Sequence, residues 1–203
     1  MKNIECIIFD YGRVISLDQD ERSINKMAGI AGIHKDEFVR KYLESRYDYD
    51  KGILSAAEYW NRVLDRPGIE KDGETVNRLI DLDVRSWTNL NPKMLAFIDS
   101  IAGSGIKTAI LSNMTYETLK YLTENFQWLN KIDYRFFSCE MKTVKPEKRI
   151  YERCLSDMGI EAGKCLFIDD SKANTGAADS LGINAILFTD FEKMKIEFDS
   201  KYA

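Results

Sequence analysis

Hydrophobic positions along the chain alternate between short continuous apolar runs and longer stretches in which apolar residues recur every three or four positions. The short runs have the length of buried strands, and they are IECIIF, IKTAIL, YRFF, CLFI and NAILF. Most of the segments between these runs have helical periodicity. Strands that alternate with helices in this order predict an α/β fold with a doubly wound, Rossmann-like parallel sheet.

Helix start and stop signals support this order of elements. Asn91 followed by Pro92 predicts an N-cap and a proline at the first helical position. Pro146 repeats that signal ahead of a helix through RIYERCLSDM, which Gly159 is expected to close. The sequence SAAE, from Ser55 to Glu58, matches a capping box and predicts a further helix start.

The stretch from about Leu17 to Thr88 contains no convincing strand. Its periodicity predicts helices through ERSINKMAGIAG, from Asp36 through EFVRKYLESRY, from the capping box onward and through ETVNRLIDLDVRSW. We therefore expect an all-helical cap inserted between the first and second strands of the core. This divides the chain into a core of residues 1–16 and 89–203 and a cap of residues 17–88.

Composition and charge narrow the class of protein. A chain of 203 residues, 44% of them hydrophobic, can bury a substantial core. The net charge of −4 offers no basic surplus for nucleic acid or for an anionic membrane. No apolar run reaches the roughly 18 residues of a membrane span, and the first residues meet an acid too early for a secretory signal. We expect a cytoplasmic monomer or homodimer with four reduced cysteines and neither nucleic-acid nor membrane partners.

Polar residues follow three of the predicted strands. Asp10 ends the first strand, Ser112-Asn113 ends the second and Asp169-Asp170 ends the CLFI strand, while Lys145 lies just ahead of a helix. Because ligands of open α/β sheets bind outside the carboxyl ends of the strands, these side chains are expected to meet at one edge. A carboxylate such as Asp10, emerging from an apolar strand, is costly to bury without a partner.

Ordinary structural explanations exist for the other residues at these strand ends. Ser112-Asn113 and Asp170-Ser171 could cap the helices that follow them. Lys145 could be a solvated loop lysine. Only the combination of all these residues, in this order, favours a functional site.

Four ordered motifs contain these residues: IIFDYGRVI, AILSN, FFSCEMKTVKPEKRIY and CLFIDDSKAN. Over nearly the whole chain they resemble the motifs of the haloacid dehalogenase-like (HAD) hydrolases, most of which are phosphatases. The third motif is similar to the branch that contains sugar-phosphate phosphatases and the amino-terminal phosphatase domain of soluble epoxide hydrolase. The resemblance implies a Mg²⁺-dependent phosphomonoester hydrolase that acts on a small phosphorylated metabolite, with a sugar phosphate as a candidate.

The resemblance also implies roles for the acidic residues. Asp10 would be the nucleophile that forms an aspartyl-phosphate. Mg²⁺ would be held by Asp10, by the backbone carbonyl of Gly12 and by Asp170. Asp169 and Asn174 would orient waters or ligands around the metal without binding it.

The same resemblance places the phosphoryl group of the substrate. Ser112 would donate a hydrogen bond to it, the Asn113 amide would lie near a helix start, and Lys145 would supply positive charge for binding and catalysis. Arg13 could contact the leaving group, although a surface ion pair explains it equally well. Cap residues that could approach the site are Arg46, Tyr47 and Tyr49.

One position departs from the family pattern. Most family phosphatases carry a second aspartate two residues after the nucleophile, which protonates the leaving group, and this chain has Gly12 there. Three consequences stay open: a good leaving group departs unassisted, Asp18 or a cap residue replaces the acid, or turnover is slow or absent.

Two other functions stay open. The 2-haloacid dehalogenases of this family also lack the second aspartate, but attack on a haloalkyl carbon needs no metal, whereas IDDSKAN keeps metal-binding carboxylates. The other alternative is a non-catalytic binding protein that has kept the fold.

Overall fold

Five parallel strands form one sheet in the order β3-β2-β1-β4-β5 in the computed structural model, which describes residues 4–65 and 72–202. All five predicted strands are confirmed, and they are β1 Cys6–Phe9, β2 Lys107–Ser112, β3 Tyr134–Phe137, β4 Cys165–Asp169 and β5 Asn184–Leu187. In the register, Phe9 of the central strand pairs with Ile110 on one side and Ile168 on the other. The ends of β2, β1 and β4 are therefore neighbours.

Helices cover both faces of the sheet because alternate residues of each strand point to opposite faces. In β1, Ile7 and Phe9 pack into one hydrophobic cluster, while Cys6 and Ile8 pack into another. Five helices in the described part of the inserted segment, α1 to α5, are given with their ranges below. The helices of the core are α6 Pro92–Ile101, α7 Tyr116–Asn125, α8 Ser138–Met141, α9 Lys148–Met158, α10 Lys172–Ser180 and α11 Phe191–Lys201. This arrangement confirms the doubly wound core.

The predicted helix signals are confirmed with one exception. Asn91 caps α6 ahead of Pro92, and Gly159 closes α9 in the left-handed conformation at φ 66°. Ser55 and Glu58 form both hydrogen bonds of the capping box. The prediction for Pro146 was wrong in detail, because α9 begins at Lys148 and the proline lies in the turn ahead of it.

Between Leu17 and Thr88, every regular element among the described residues is a helix. The helices are α1 Glu21–Ala31, α2 Lys35–Glu44, α3 Arg46–Asp50, α4 Ala56–Val63 and α5 Gly73–Ser86. The single helix expected from Asp36 is two helices, which separate at Ser45. These helices enclose their own apolar cluster around Phe38, Tyr59 and Trp60, apart from both sheet clusters, as expected for an inserted cap.

The exact division into residues 1–16 with 89–203 and residues 17–88 stays a prediction, and residues 1–3, 66–71 and 203 lie outside the described residues. All four cysteines are unpaired and buried, as the sequence predicts. Within the described ranges, no helix combines the length and the apolar character that crossing a membrane requires.

Candidate active site

The carboxyl ends of β2, β1 and β4 bring the predicted site residues together at one edge of the sheet. Asp10 follows β1 directly and is buried, and its Oδ1 accepts a hydrogen bond of 2.6 Å from the backbone amide of Tyr11. Ser112 ends β2 and Asp169 ends β4. Because the strands are parallel and neighbours in the sheet, residues at the carboxyl ends of these strands lie close together.

Lys145 supplies the positive charge at this edge. Its Nζ lies 2.7 Å from Asp10 Oδ1 and 2.7 Å from Asp169 Oδ2, and the residue is only 2% exposed. A solvated loop lysine is therefore excluded. Burial of an ammonium is unfavourable unless charge partners surround it, and the two carboxylates raise the pKa of Lys145 above its ordinary value despite its burial.

The position of Lys145 is fixed by Asn113. The Asn113 side-chain amide donates to the Lys145 carbonyl at 2.9 Å, and its Oδ1 accepts from the Lys145 amide at 2.7 Å. This pair of bonds links the loop after β2 to the loop ahead of α9. The function of the Asn113 side chain in the described structure is thus to hold the lysine loop at the site.

The capping alternatives are only partly correct. Thr115, and neither Ser112 nor Asn113, caps α7 by accepting from the amide of Thr118. Ser171 caps α10, while Asp170 does not. Ser112 and Asp170 therefore carry no capping role that would account for them at this edge.

Three carboxylates form the acidic centre of the site. Asp10, Asp169 and Asp170 each offer an oxygen, and these oxygens lie within 4.8 Å of one another. Asp169 is fully buried and already accepts from Lys145, from the Ser171 amide at 2.8 Å and from Asn174 Nδ2 at 3.0 Å. Within residues 4–65 and 72–202, Asp170 accepts a single long hydrogen bond, 3.4 Å from Arg13. Asp10 and Asp170 are therefore the better placed to accept a cation.

The electrostatics of this centre fit a hard divalent cation. The pKa of Asp10 is raised to about 7, because burial, the largest cause, and the neighbouring carboxylates Asp169 and Asp170 together outweigh the opposing effect of Lys145. Burial and Asp169 likewise raise the pKa of Asp170. Carboxylate oxygens are the ligands that Mg²⁺ prefers, and a cation here would relieve the repulsion among the three acids.

Gly12 lies against the indole of Trp87. A Cβ at Gly12 would approach the Trp87 ring to 3.7 Å, which is ordinary contact, so the glycine is not required by lack of space. Next to it, Arg13 binds both oxygens of Asp18 at 2.9 Å and has a side chain that is 55% exposed. The surface ion pair proposed for Arg13 is present, with a weaker contact to Asp170.

A cavity of about 490 Å³ separates this edge from the cap. Of the predicted residues, those that line it are Asp10, Gly12, Arg13, Arg46, Ser112, Asn113, Lys145, Asp170 and Asn174. Asp169 is buried behind the cavity. Two cap candidates are absent from its wall: Tyr47 is 60% exposed on the surface, and Tyr49 is buried with its hydroxyl donating to Glu117.

The cap wall of the cavity is a polar network that the sequence did not reveal. Arg46 donates from Nε to Asp50 at 2.9 Å and from Nη1 to Asp83 at 2.9 Å. Tyr42 donates to the same Asp83 at 2.6 Å, and Gln19 donates to it at 3.3 Å. Spacing of Arg46 and Asp50 by four helical positions was a local signal for this pair, but nothing local points to Asp83.

The fold and this edge together define a doubly wound α/β protein in which an acidic cluster and a buried lysine lie beside a cavity beneath inserted helices. A family model for the haloacid dehalogenase-like hydrolases matches residues 13–182, and the chain belongs to that family. The resemblance of the four motifs is confirmed.

Relatives within this family have different chemistries. The (S)-2-haloacid dehalogenase 1 of Pseudomonas sp. is 21% identical, over 95% of this chain and 88% of that protein. Acyl-CoA dehydrogenase family member 10 of Mus musculus is 32% identical over 47% of this chain, and the match spans only 9% of that protein. A HAD family enzyme from Bacteroides thetaiotaomicron, in complex with magnesium and inorganic phosphate, superposes with a TM-score of 0.72. It is 22% identical, with coverage of 94% of this chain and 98% of that one, a likeness that shows the shared fold.

Proposed function

We propose that this protein is a Mg²⁺-dependent phosphomonoester hydrolase that acts on a small phosphorylated metabolite. The observation that carries the proposal is an arrangement of three charged side chains. Asp10 binds the buried Lys145, and the neighbouring Asp170 accepts a single long hydrogen bond, from Arg13, among the described residues. Displacement at phosphorus brings an anionic nucleophile to an anionic substrate, so a site with both a fixed cation and a cation-binding carboxylate suits it. The magnesium and phosphate bound by the HAD family relative support the same chemistry.

In this proposal Asp10 attacks phosphorus and carries the phosphoryl group as an aspartyl-phosphate, which water then hydrolyses. Asp10, the Gly12 carbonyl and Asp170 would hold Mg²⁺, which when bound offsets the charge of the phosphate. Lys145, at 2.7 Å from the nucleophile, adds positive charge where the phosphoryl oxygens would lie.

The remaining predicted residues hold this arrangement. Ser112 lines the cavity, where its hydroxyl would donate to a phosphoryl oxygen. Asn113 fixes the lysine loop, and Asn174 holds Asp169 through its side-chain amide. Each of these contacts limits the movement of a charged group during the reaction.

Dehalogenation of a 2-haloacid is the second candidate function. It is supported by the similarity to the Pseudomonas enzyme over most of both chains, and by the lack of an acid at Gly12. The acidic centre argues against it, because attack on a haloalkyl carbon needs no metal and three adjacent carboxylates would repel an anionic haloacid.

Product analysis tests the proposal. Inorganic phosphate release is measured from sugar, acyl, nucleotide and aryl phosphates, with Mg²⁺ and with chelator, and halide release is measured from 2-chloropropionate. We expect Mg²⁺-dependent phosphate release that disappears in Asp10→Asn and persists in Asp99→Asn, a surface control that forms an ion pair with Lys131. Phosphate release by Asp10→Asn at the wild-type rate would refute the nucleophile, and halide release without phosphate release would favour the dehalogenase. Release of neither product by the folded wild type would favour the non-catalytic alternative.

A further inference from the structure

The absence of a carboxyl group at Gly12 leaves the proposed hydrolase without an acid for its leaving group. In the described part of the chain, four aspartates line the cavity: Asp10, Asp18, Asp50 and Asp170. Any aspartate that replaces the missing acid must come from this set, because proton transfer requires hydrogen-bond reach of the leaving oxygen.

Three of these four carboxylates have other functions. Asp10 is the proposed nucleophile and Asp170 the proposed metal ligand. Both oxygens of Asp18 accept hydrogen bonds from Arg13 at 2.9 Å, so the Arg13 guanidinium occupies both of its carboxylate oxygens. Asp50 is the cavity carboxylate that is left.

The geometry of Asp50 suits a proton donor. Its Oδ1 accepts from Arg46 Nε at 2.9 Å, whereas no described residue donates to Oδ2. The side chain is 10% exposed, and the residue lines the cavity. The hydrogen bond from Arg46 thus positions Oδ1 within the cap, while Oδ2 accepts no hydrogen bond from the described residues.

A second contact ties Asp50 to the catalytic edge. The Ser138 hydroxyl donates to the Asp50 carbonyl at 2.5 Å, and the same hydroxyl oxygen accepts from the Met114 amide at 2.9 Å. Met114 lies two residues after Ser112, in the loop that follows β2. Asp50 is the last residue of the cap helix α3. Through Ser138, its backbone carbonyl is linked to the loop that follows the proposed phosphoryl-binding Ser112.

Charge balance within the cap indicates where a proton resides. One guanidinium, Arg46, faces two carboxylates, Asp50 and Asp83. Among the described residues, Asp83 accepts hydrogen bonds from three side chains, namely Arg46, Tyr42 and Gln19. Asp50 has one donor, and burial raises its pKa above the ordinary value although Arg46 opposes the rise. Burial therefore favours the protonated form of the Asp50 carboxyl.

We propose that Asp50 is the general acid and base of this enzyme, delivered by the cap in place of the carboxylate missing at Gly12. The inference rests on the proposed hydrolase function. It makes catalysis dependent on the contact between cap and core, since the acid and the nucleophile belong to different parts of the fold.

The proton and the bonds balance over two steps. As Asp10 forms a bond to phosphorus, the bond from phosphorus to the leaving oxygen breaks, and that oxygen takes the proton of the Asp50 carboxyl and departs as an alcohol. Water then attacks the aspartyl-phosphate and gives a proton to the Asp50 carboxylate, while the bond from phosphorus to Asp10 breaks. Inorganic phosphate leaves, and Asp50 is protonated again.

The inference is tested by measuring how the kcat/KM of the Asp50→Asn variant depends on the leaving group of the substrate. The probes are p-nitrophenyl phosphate, whose phenolate departs without a proton, and a sugar monophosphate, whose alkoxide requires one. The measured quantity is kcat/KM, which covers the steps up to leaving-group departure. We expect a loss of about 10²–10⁴-fold on the sugar phosphate and less than about tenfold on the aryl phosphate. A burst of p-nitrophenolate should also appear, because hydrolysis of the aspartyl-phosphate is slowed.

The matched control is Asp83→Asn, which removes the other carboxylate of Arg46 and does not line the cavity. A structural effect on the network should lower kcat/KM for both probes by a similar factor in this variant. Asp50→Glu, which displaces the carboxyl by one methylene, serves as the second variant if Asp50→Asn does not fold. It should show the same selective loss on the sugar phosphate.

Several outcomes would overturn the inference. Equal losses on both probes in Asp50→Asn and Asp50→Glu would show a structural role. Wild-type turnover of the aryl phosphate with no alkyl phosphate turned over would show that no general acid operates, although the hydrolase proposal would survive. Absence of phosphate release from every probe would refute both the hydrolase and the acid.

Discussion

The Lys145 ammonium lies 2.7 Å from the carboxylate of Asp10, and both residues are buried. The contact joins the end of the central strand to a loop far along the chain. Because Lys145 also binds Asp169, one cation faces two of the three carboxylates of the centre, and negative charge remains in excess there. This imbalance has consequences for stability, metal binding and substrate choice.

The stability of the metal-free protein should depend on the titration of Asp10. The pKa of Asp10 rises from 3.8 to about 7 on folding, so between these values the folded state binds a proton that the unfolded state does not. This contribution to stability is complete below pH 4 and is lost as pH rises through 7. Each pKa unit corresponds to about 1.4 kcal/mol, so we expect the wild-type Tm in chelator to fall by several degrees more than that of Asp10→Asn between pH 5 and 8.

Thermal melts of the two proteins at matched pH measure this difference directly. Saturating Mg²⁺ should remove it, because a cation favours the ionised carboxylate. Identical pH profiles of the two proteins in chelator would show that Asp10 does not titrate in this range.

Substitution of Asp169 should mainly change the stability of the protein, whereas substitution of Asp170 should mainly change its binding of Mg²⁺. Asp170→Asn should abolish the rise in Tm on adding Mg²⁺ and leave the metal-free Tm unchanged or higher, because Asp170 is repelled by Asp169 and has one long hydrogen bond. Asp169→Asn should lower the metal-free stability by about 3–5 kcal/mol, because it removes a buried charge partner of Lys145. Mg²⁺ titrations followed by thermal melts distinguish the two effects, and equal behaviour of the variants would contradict the assignment.

Gly52 should be required for close contact between cap and core. Its φ is +65°, and a Cβ there would lie 2.8 Å from Lys142 Nζ, 2.8 Å from Tyr116 Cε2 and 2.9 Å from the Cys139 carbonyl. Gly52→Ala should therefore lower both the Tm and kcat/KM, since the new methyl group separates Gly52 from the core.

Gly103→Ala is the matched control, because Gly103 has a similar positive φ of +86° and nothing within 4 Å of the added Cβ. It should lose only the roughly 1–2 kcal/mol of left-handed strain and keep its kcat/KM. If both variants keep full activity, the packing at Gly52 does not control the reaction.

Substrates with a second anionic group should be disfavoured. Both guanidinium groups at the cavity wall are already paired with carboxylates: Arg13 with Asp18, and Arg46 with Asp50 and Asp83. Glucose 6-phosphate and 6-phosphogluconate differ by one carboxylate, and we expect at least about tenfold higher kcat/KM for the uncharged leaving group, equivalent to roughly 1.4 kcal/mol. A preference for 6-phosphogluconate would show that one of these arginines is released to bind substrate.

Local sequence patterns predicted the strands, most helix ends and the positions of the candidate site residues along the chain. The five strands are short apolar runs, and the capping box at Ser55 and the left-handed Gly159 are local signals whose physics is contained within a few residues. Asp10, Ser112 and Asp169 could be placed at one edge because parallel strands all direct their carboxyl ends the same way.

The side-chain partners at the site and in the cap could not be predicted from the sequence, because they come from distant parts of the chain. The bonds between Asn113 and Lys145 and the burial of Lys145 between two acids depend on how distant loops pack. In the cap, Asp83 of α5 binds Arg46 of α3, and Asp50, which binds the same Arg46 through Oδ1, lines the cavity. Hydrogen bonds and ion pairs act over a few ångströms, so contacts between residues far apart in the chain follow from the packing of cap and core, which no local pattern specifies.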